Sequence, residues 1–262
     1  MLRESFIGSE FSPWLRERFD AIEISTRGDR EVVFNEQLTA TESELADALG
    51  VRQTPAIMFL DATNRVVVRS DGYRTPRDFK RILDYVDSKS YLRTDLASFI
   101  RARDDGPPYA LRDHAAFAPL TDLAGVNKPL MVILEDSWCD GCDLMHDTLL
   151  RNDVVNDLMA KMTVVRLDAA SDEPMVAPDG TATTPREWAA TLGLAARPAI
   201  VIHADGEERV RIKGVLRRFH FQTALRYVAD GHYRDYPTVR DFGRAWQEKL
   251  IAEGVVIDVG VQ

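Results

Sequence analysis

Two cysteines, Cys139 and Cys142, are the only ones in a chain of 262 residues, and two residues separate them. A pair is too few for a disulfide framework or for a four-thiolate zinc site, so its spacing carries the information. The sequence around it is Ser137-Trp138-Cys139-Asp140-Gly141-Cys142. It follows the apolar run Pro129 to Leu134 and precedes residues Asp143 to Leu150, which have helical spacing. That order predicts a strand-to-helix junction. There Cys139 faces the positive end of the helix dipole and unpaired backbone N–H groups, which favour thiolate over thiol and make it an exposed nucleophile toward disulfides. Cys142, one turn later, can attack the resulting mixed disulfide and release the substrate, so the pair can cycle between dithiol and disulfide. A metal reading would add His146 as Cys-x-x-Cys-x-x-x-His, but no fourth ligand is in evidence. His146 therefore reads as a solvated helix residue, and His114, His203, His220 and His232 as structural or surface residues.

The elements that must hold this motif occur twice. Sliding the sequence by 143 positions lays LGVRQTPAI, Leu49 to Ile57, over LGLAARPAI, Leu192 to Ile200, and pairs Leu15 with Leu158, Ile22 with Val165, Ile24 with Leu167 and Thr41 with Thr184. One deletion later Gly72 meets Gly214, Phe79 meets Phe221, Leu83 meets Leu225, Tyr85 meets Tyr227 and Tyr91 meets Tyr233. Shared core and turn positions in the same order imply two copies of one domain. In each copy a helix carrying Leu15 or Leu158 leads to a strand, Ala21 to Ile24 or Val164 to Leu167, and then to a variable loop. A helix opens at Thr41 or Thr184, with a capping box Thr41-x-x-Glu44 in the first copy. Two strands joined by a turn follow, Ala56 to Leu60 with Val66 to Arg69, or Ala199 to His203 with Arg209 to Ile212. The last helix runs from Pro76 to Val86 or from Arg218 to Val228. The second copy adds the strand Pro129 to Leu134, apolar throughout as in a sheet covered on both faces. Alternating strands and helices give an α/β class. The stretch Asp104 to Pro108, DDGPP, reads as a linker, dividing the chain into residues 1–103 and 104–262.

Trp138-Cys139-Asp140-Gly141-Cys142, with the later strand-initiating Pro198, resembles the thioredoxin superfamily. The lead EDSWCDGC, the TP and RP prolines, and the closing helix with its tyrosine resemble the extracytoplasmic thioredoxin-related proteins of the SoxW type. The resemblance implies a redox-active disulfide, with Cys139 and Cys142 catalytic. It also implies a cis Arg197–Pro198 bond beside the sulfurs, an extended substrate peptide held before that proline, and Trp138 limiting access to Cys142. Trp138, Arg197 and Pro198 are thus candidate substrate-binding residues. Thioredoxins carry a buried acid where this chain has Ile133, so a proton relay would fall to Glu135 acting through water; otherwise Glu135 is a solvated acid at a strand end. Arg197 either adds positive charge beside the sulfurs or forms a surface ion pair. The first copy has no CxxC, and its counterpart of the apolar strand would lie before Met1. The expectation is a truncated or degenerate first domain.

With 42 acidic against 33 basic residues the formal charge is −9, and no Lys/Arg cluster offsets it, which argues against nucleic acid and anionic lipid as partners. No apolar run reaches the ~18 residues of a membrane helix, and the N-terminus lacks a signal-peptide pattern. The expected function is a thiol–disulfide oxidoreductase acting on protein disulfides and recharged by an upstream thiol reductant, with no cofactor or metal. The alternatives are a redox-inactive interaction module and a dedicated electron donor to a peroxidase or sulfur-oxidation enzyme. The family resemblance implies a periplasmic or extracytoplasmic location; a cytoplasmic one is the alternative.

Overall fold

The computed structural model describes residues 6–51, 54–103, 109–194 and 197–255. The chain separates into two compact units, Met1–Arg103 and Asp104–Gln262. The linker expected at 104–108 and the first five residues lie outside the described residues, as do 195 and 196, where the resemblance places part of the peptide-holding segment.

In the first unit the described residues form helix α1 (Ser12–Arg18), strands β1 (Glu31–Asn35) and β2 (Leu38–Thr41), helix α2 (Glu42–Ala48), strands β3 (Ala56–Leu60) and β4 (Val66–Asp71), and helices α3 (Pro76–Asp87) and α4 (Leu96–Arg101). The strands make two separate antiparallel hairpins, β1 with β2 and β3 with β4. The variable loop of the sequence reading thus contains a hairpin. The strand expected at Ala21 to Ile24 is not formed, and Ile22 is 80% exposed. A strand needs a neighbour to pair its backbone groups, and no strand pairs with this segment among the described residues. The capping box is present: the Glu44 N–H donates to Thr41 Oγ1, and the Thr41 N–H donates to the Glu44 carboxylate.

The second unit continues with strand β5 (Leu130–Glu135), helix α5 (Asp140–Leu144), a π-helical turn (Met145–Leu149), helix α6 (Asp153–Met159) and strand β6 (Thr163–Asp168). A short hairpin, β7 (Met175–Val176) with β8 (Ala182–Thr183), precedes helix α7 (Pro185–Thr191). Strands β9 (Ala199–Ala204) and β10 (Glu207–Lys213) and helices α8 (Arg218–Ala229) and α9 (Val239–Ala252) complete it. Helices α4 and α9 lie beyond the last helix that the sequence pattern predicts in each copy. Four strands form one sheet in the order β10-β9-β5-β6, with β5 parallel to β6 and antiparallel to β9. All six residues of β5 are buried, which is the physical meaning of its uninterrupted apolar run. Because side chains alternate along a strand, Leu130, Val132 and Leu134 face one layer with Trp188 and Ala189 of α7, while Met131, Ile133 and Glu135 face the other.

The two units repeat each other in detail. Gly72 and Gly214 both have positive φ, at 82° and 91°, and each donates its N–H at 2.7 Å to the carbonyl of Pro55 or Pro198. Phe79 and Phe221 are buried, and Tyr85 and Tyr227 meet Tyr91 and Tyr233 edge-on. Thr41 and Thr184 cap α2 and α7. Thr184 Oγ1 accepts the Glu187 N–H at 3.2 Å. Replacing Thr184 by Ala is expected to lower stability by about 1 kcal/mol, measured by urea unfolding, because one first-turn donor loses its acceptor. An unchanged midpoint would show that water replaces the cap without loss.

Candidate active site

The β5 strand delivers the motif to the end of the sheet. Asp136, just past it, bends the chain: its Oδ1 accepts the Trp138 N–H at 2.9 Å and its carbonyl accepts the Cys139 N–H at 3.1 Å. Cys139 then occupies the cap position of α5, and Cys142 sits one turn inside. The two are joined as a disulfide, with Cα atoms 5.4 Å apart. Both are buried, in a cluster with Tyr109 against which Leu111 packs. The expected exposure of Cys139 therefore does not hold in the disulfide state, where it is 1% exposed. The segment before the sheet folds over the sulfurs and excludes water from both.

The proline loop closes the site from the side. The Arg197–Pro198 peptide is cis, as is Thr54–Pro55 in the first unit. A Cβ placed on Gly141 would stand 2.9 Å from Pro198 Cδ and 3.1 Å from Val215 Cγ2, so only glycine lets the motif helix meet this loop. Gly141→Ala should push the proline loop away, costing about 1–3 kcal/mol by overpacking against a helix-propensity gain of up to ~1 kcal/mol. The expected readout is a lower melting temperature and slower disulfide exchange; a variant that melts at or above the parent temperature would show that the loop yields freely.

Arg197 is paired, as one reading of the sequence had it, but not at the surface: its Nε lies 3.2 Å from Asp136 Oδ2, and the two side chains are 9% and 10% exposed. Trp138 is partly exposed and Pro198 buried. Glu135 is corrected more strongly. It is fully buried rather than solvated, and His146, expected in solvent, is buried with it. His146 Nε2 donates to Glu135 Oε1 at 2.7 Å and the Tyr109 hydroxyl donates to Oε2 at 3.2 Å. Burial, and after it the Glu135 charge, push the Tyr109 phenol well above its ordinary pKa, which keeps it a donor. Tyr109 and His146 were both missed as site residues. The one signal was a charged residue closing an otherwise apolar buried strand, which requires a partner. The other histidines lie elsewhere: His114 Nε2 is 3.2 Å from the Leu150 carbonyl oxygen, and His232 stacks on Phe242. Among the described residues no group of three or more His, Cys, Asp or Glu is arranged to hold a metal ion. Among them, too, no helix is long and apolar enough to cross a membrane.

A mixed four-stranded sheet flanked by helices, with Cys-x-x-Cys where a parallel central strand meets its helix and a cis proline packed on the motif, is the architecture of a thioredoxin fold. The chain belongs to the thioredoxin-like domain family, whose profile matches it twice, at residues 2–87 and 118–229. No curated protein matches the sequence. Solved structures similar to it include a thioredoxin-fold protein from Helicobacter pylori, 14% identical, covering 53% of this chain and 92% of its own, with a TM-score of 0.46. Oxidized thioredoxin O2 from Arabidopsis thaliana is 18% identical over 42% of this chain and 80% of its own, with a TM-score of 0.29. A DsbH oxidoreductase is 18% identical over 45% of this chain and 88% of its own, with a TM-score of 0.27.

Proposed function

We propose that the second unit is a thiol–disulfide oxidoreductase acting on protein disulfides, in which Cys139 is the nucleophile and Cys142 the resolving thiol. The observation that carries this reading is the Cys139–Cys142 disulfide at the strand-to-helix junction, packed against the Pro198 loop. In the reduced enzyme the Cys139 thiolate attacks a substrate disulfide. One substrate sulfur leaves as a thiolate and a mixed disulfide forms. Cys142, deprotonated, then attacks Cys139 Sγ, the bond to substrate breaks, and the second substrate sulfur leaves with its electron pair. Two electrons from an upstream thiol reductant reopen the Cys139–Cys142 bond. The family resemblance assigns substrate contact to Trp138, Arg197 and Pro198, of which the Pro198 loop packs on Gly141 of the motif, and it leaves Glu135 as the group available to take a proton. Residues 1–103 contain no cysteine, and both exchanging sulfurs of the proposal lie in residues 104–262. The SoxW-type resemblance supports an extracytoplasmic setting, and the acidic charge supports protein rather than nucleic-acid partners. The test is reduction of insulin by the purified chain with dithiothreitol. Acceleration over dithiothreitol alone, lost when both cysteines are replaced by serine, is the expected result; equal rates with and without the protein would leave a redox-inactive binding module.

A further inference from the structure

We propose that Tyr109, Leu111 and Arg112 decide which disulfides the protein exchanges with: they form a strap over the Cys139–Cys142 bond, and only a partner that lifts it reaches the sulfurs. This rests on the oxidoreductase reading and supplies its specificity. Thiol–disulfide exchange needs access to a sulfur. Here Cys139 is 1% exposed and Cys142 0%, and the residues that share their buried cluster are Tyr109 and, packed against it, Leu111. Neither belongs to the motif or to the proline loop. Both lie on the segment ahead of β5.

The strap is fastened unequally. At its start the Tyr109 N–H donates to the Ser137 carbonyl at 2.8 Å, on the lead into the motif, and the Tyr109 hydroxyl donates to Glu135 Oε2 at 3.2 Å. At its end Arg112 reaches the motif helix and the turn after it, with one guanidinium nitrogen 3.3 Å from Asp143 Oδ1 and the other 2.8 Å from Asp147 Oδ1. Arg166 donates to the Arg112 carbonyl at 3.0 Å. The Asp143 and Asp147 side chains are 64% and 48% exposed, so water and salt screen these pairs and they release easily. A segment held by exposed pairs and few apolar contacts opens locally while the sheet beneath it stays folded. A partner that takes its place must offer what the strap offers, an aromatic or aliphatic side chain toward the cysteines and a cation toward Asp143 and Asp147. The substrate class is therefore a protein disulfide flanked by an extended segment carrying such an apolar residue and an arginine or lysine. The same strap must lift before a small dithiol reduces the protein. One reagent thiolate then bonds to Cys139 Sγ, the Cys139–Cys142 bond breaks, and Cys142 leaves with the electron pair. The second reagent thiol, deprotonated, closes the reagent's own disulfide and releases Cys139 as a thiolate.

The experiment measures how fast dithiothreitol reduces the Cys139–Cys142 bond of the oxidised full chain, by alkylating samples with N-ethylmaleimide and weighing them. Arg112→Ala unfastens the exposed end and should speed reduction by about three- to fivefold. The substitution also removes a positive charge, which by electrostatics alone would slow an anionic thiolate, so acceleration has the sign that only an opened strap gives. Leu111→Ala thins the cover without changing any charge and should speed reduction by a similar factor. Rates for both variants at or below the parent, whatever their melting temperatures, would overturn the inference. If Leu111→Ala does not fold, Arg112→Ala, at the exposed end, decides alone. The partner class is read with two cystine peptides that differ only in arginine or glutamate beside an aromatic residue. The reduced parent should act faster on the arginine peptide, and the preference should shrink when Asp143 and Asp147 are both replaced by asparagine. A preference unchanged by that replacement would overturn the partner assignment. Reduction by dithiothreitol that depends on the strap, in a chain that leaves insulin untouched, would keep the strap and overturn the oxidoreductase reading. Insulin turnover with reduction rates indifferent to the strap would do the reverse.

Discussion

Under the proposed dithiol mechanism, replacing Cys142 by serine is expected to turn exchange into trapping. A serine hydroxyl does not displace a thiolate from a disulfide, so substrate attacked by Cys139 stays attached to it. Turnover of a protein disulfide should fall by at least on the order of a thousandfold, because the two sulfurs act as a unit. Mass spectrometry should find the substrate covalently bound to Cys139, released only by added thiol. Cys139→Ser should lose turnover equally and accumulate no adduct. The expected asymmetry rests on the positions of the two residues along the helix: Cys139 caps α5, where the chain leaves the sheet, and Cys142 lies one turn inside it. An adduct on Cys142 in the Cys139→Ser variant would reverse the roles, and retained turnover in either variant would end the dithiol mechanism.

Arg197→Met should cost about 3–5 kcal/mol of stability, the penalty for leaving the nearly dry Asp136 carboxylate without its cation. Asp136 also orders the lead into the motif through the Trp138 N–H, so the loss should reach the site as slower disulfide exchange. Asp136→Asn keeps an acceptor for that N–H while removing the charge. Combined with Arg197→Met it should therefore restore much of the stability, giving a coupling energy on the order of 2 kcal/mol in urea unfolding. Strictly additive losses would show that the pair does not tie the proline loop to the end of β5.

The chemistry-bearing pair was legible because its signals are local. The apolar run of β5, the Cys-x-x-Cys spacing and the helical spacing after it are all set by neighbours along the chain. The duplication was legible for the same reason: Gly72 and Gly214, Thr41 and Thr184, and Phe79 and Phe221 keep the same residue type because each copy asks the same turn, cap or core position of them. Periodicity also marks Ile22 and Ile24 as strand residues, yet no strand forms there in the first unit, because pairing depends on a neighbour that no local pattern supplies. The surroundings of the sulfurs show the same division. Tyr109 is 26 positions from Glu135 and His146 is 11, and nothing in the residues between them specifies that they meet. The sequence by itself determined an α/β duplication with a dithiol pair at a strand-to-helix junction. Only the tertiary structure decided that Glu135 is dry and doubly bonded, that Arg197 turns inward to Asp136 and that Tyr109 covers the disulfide, since burial and charge pairing are fixed by what the packed sheet and helices bring together.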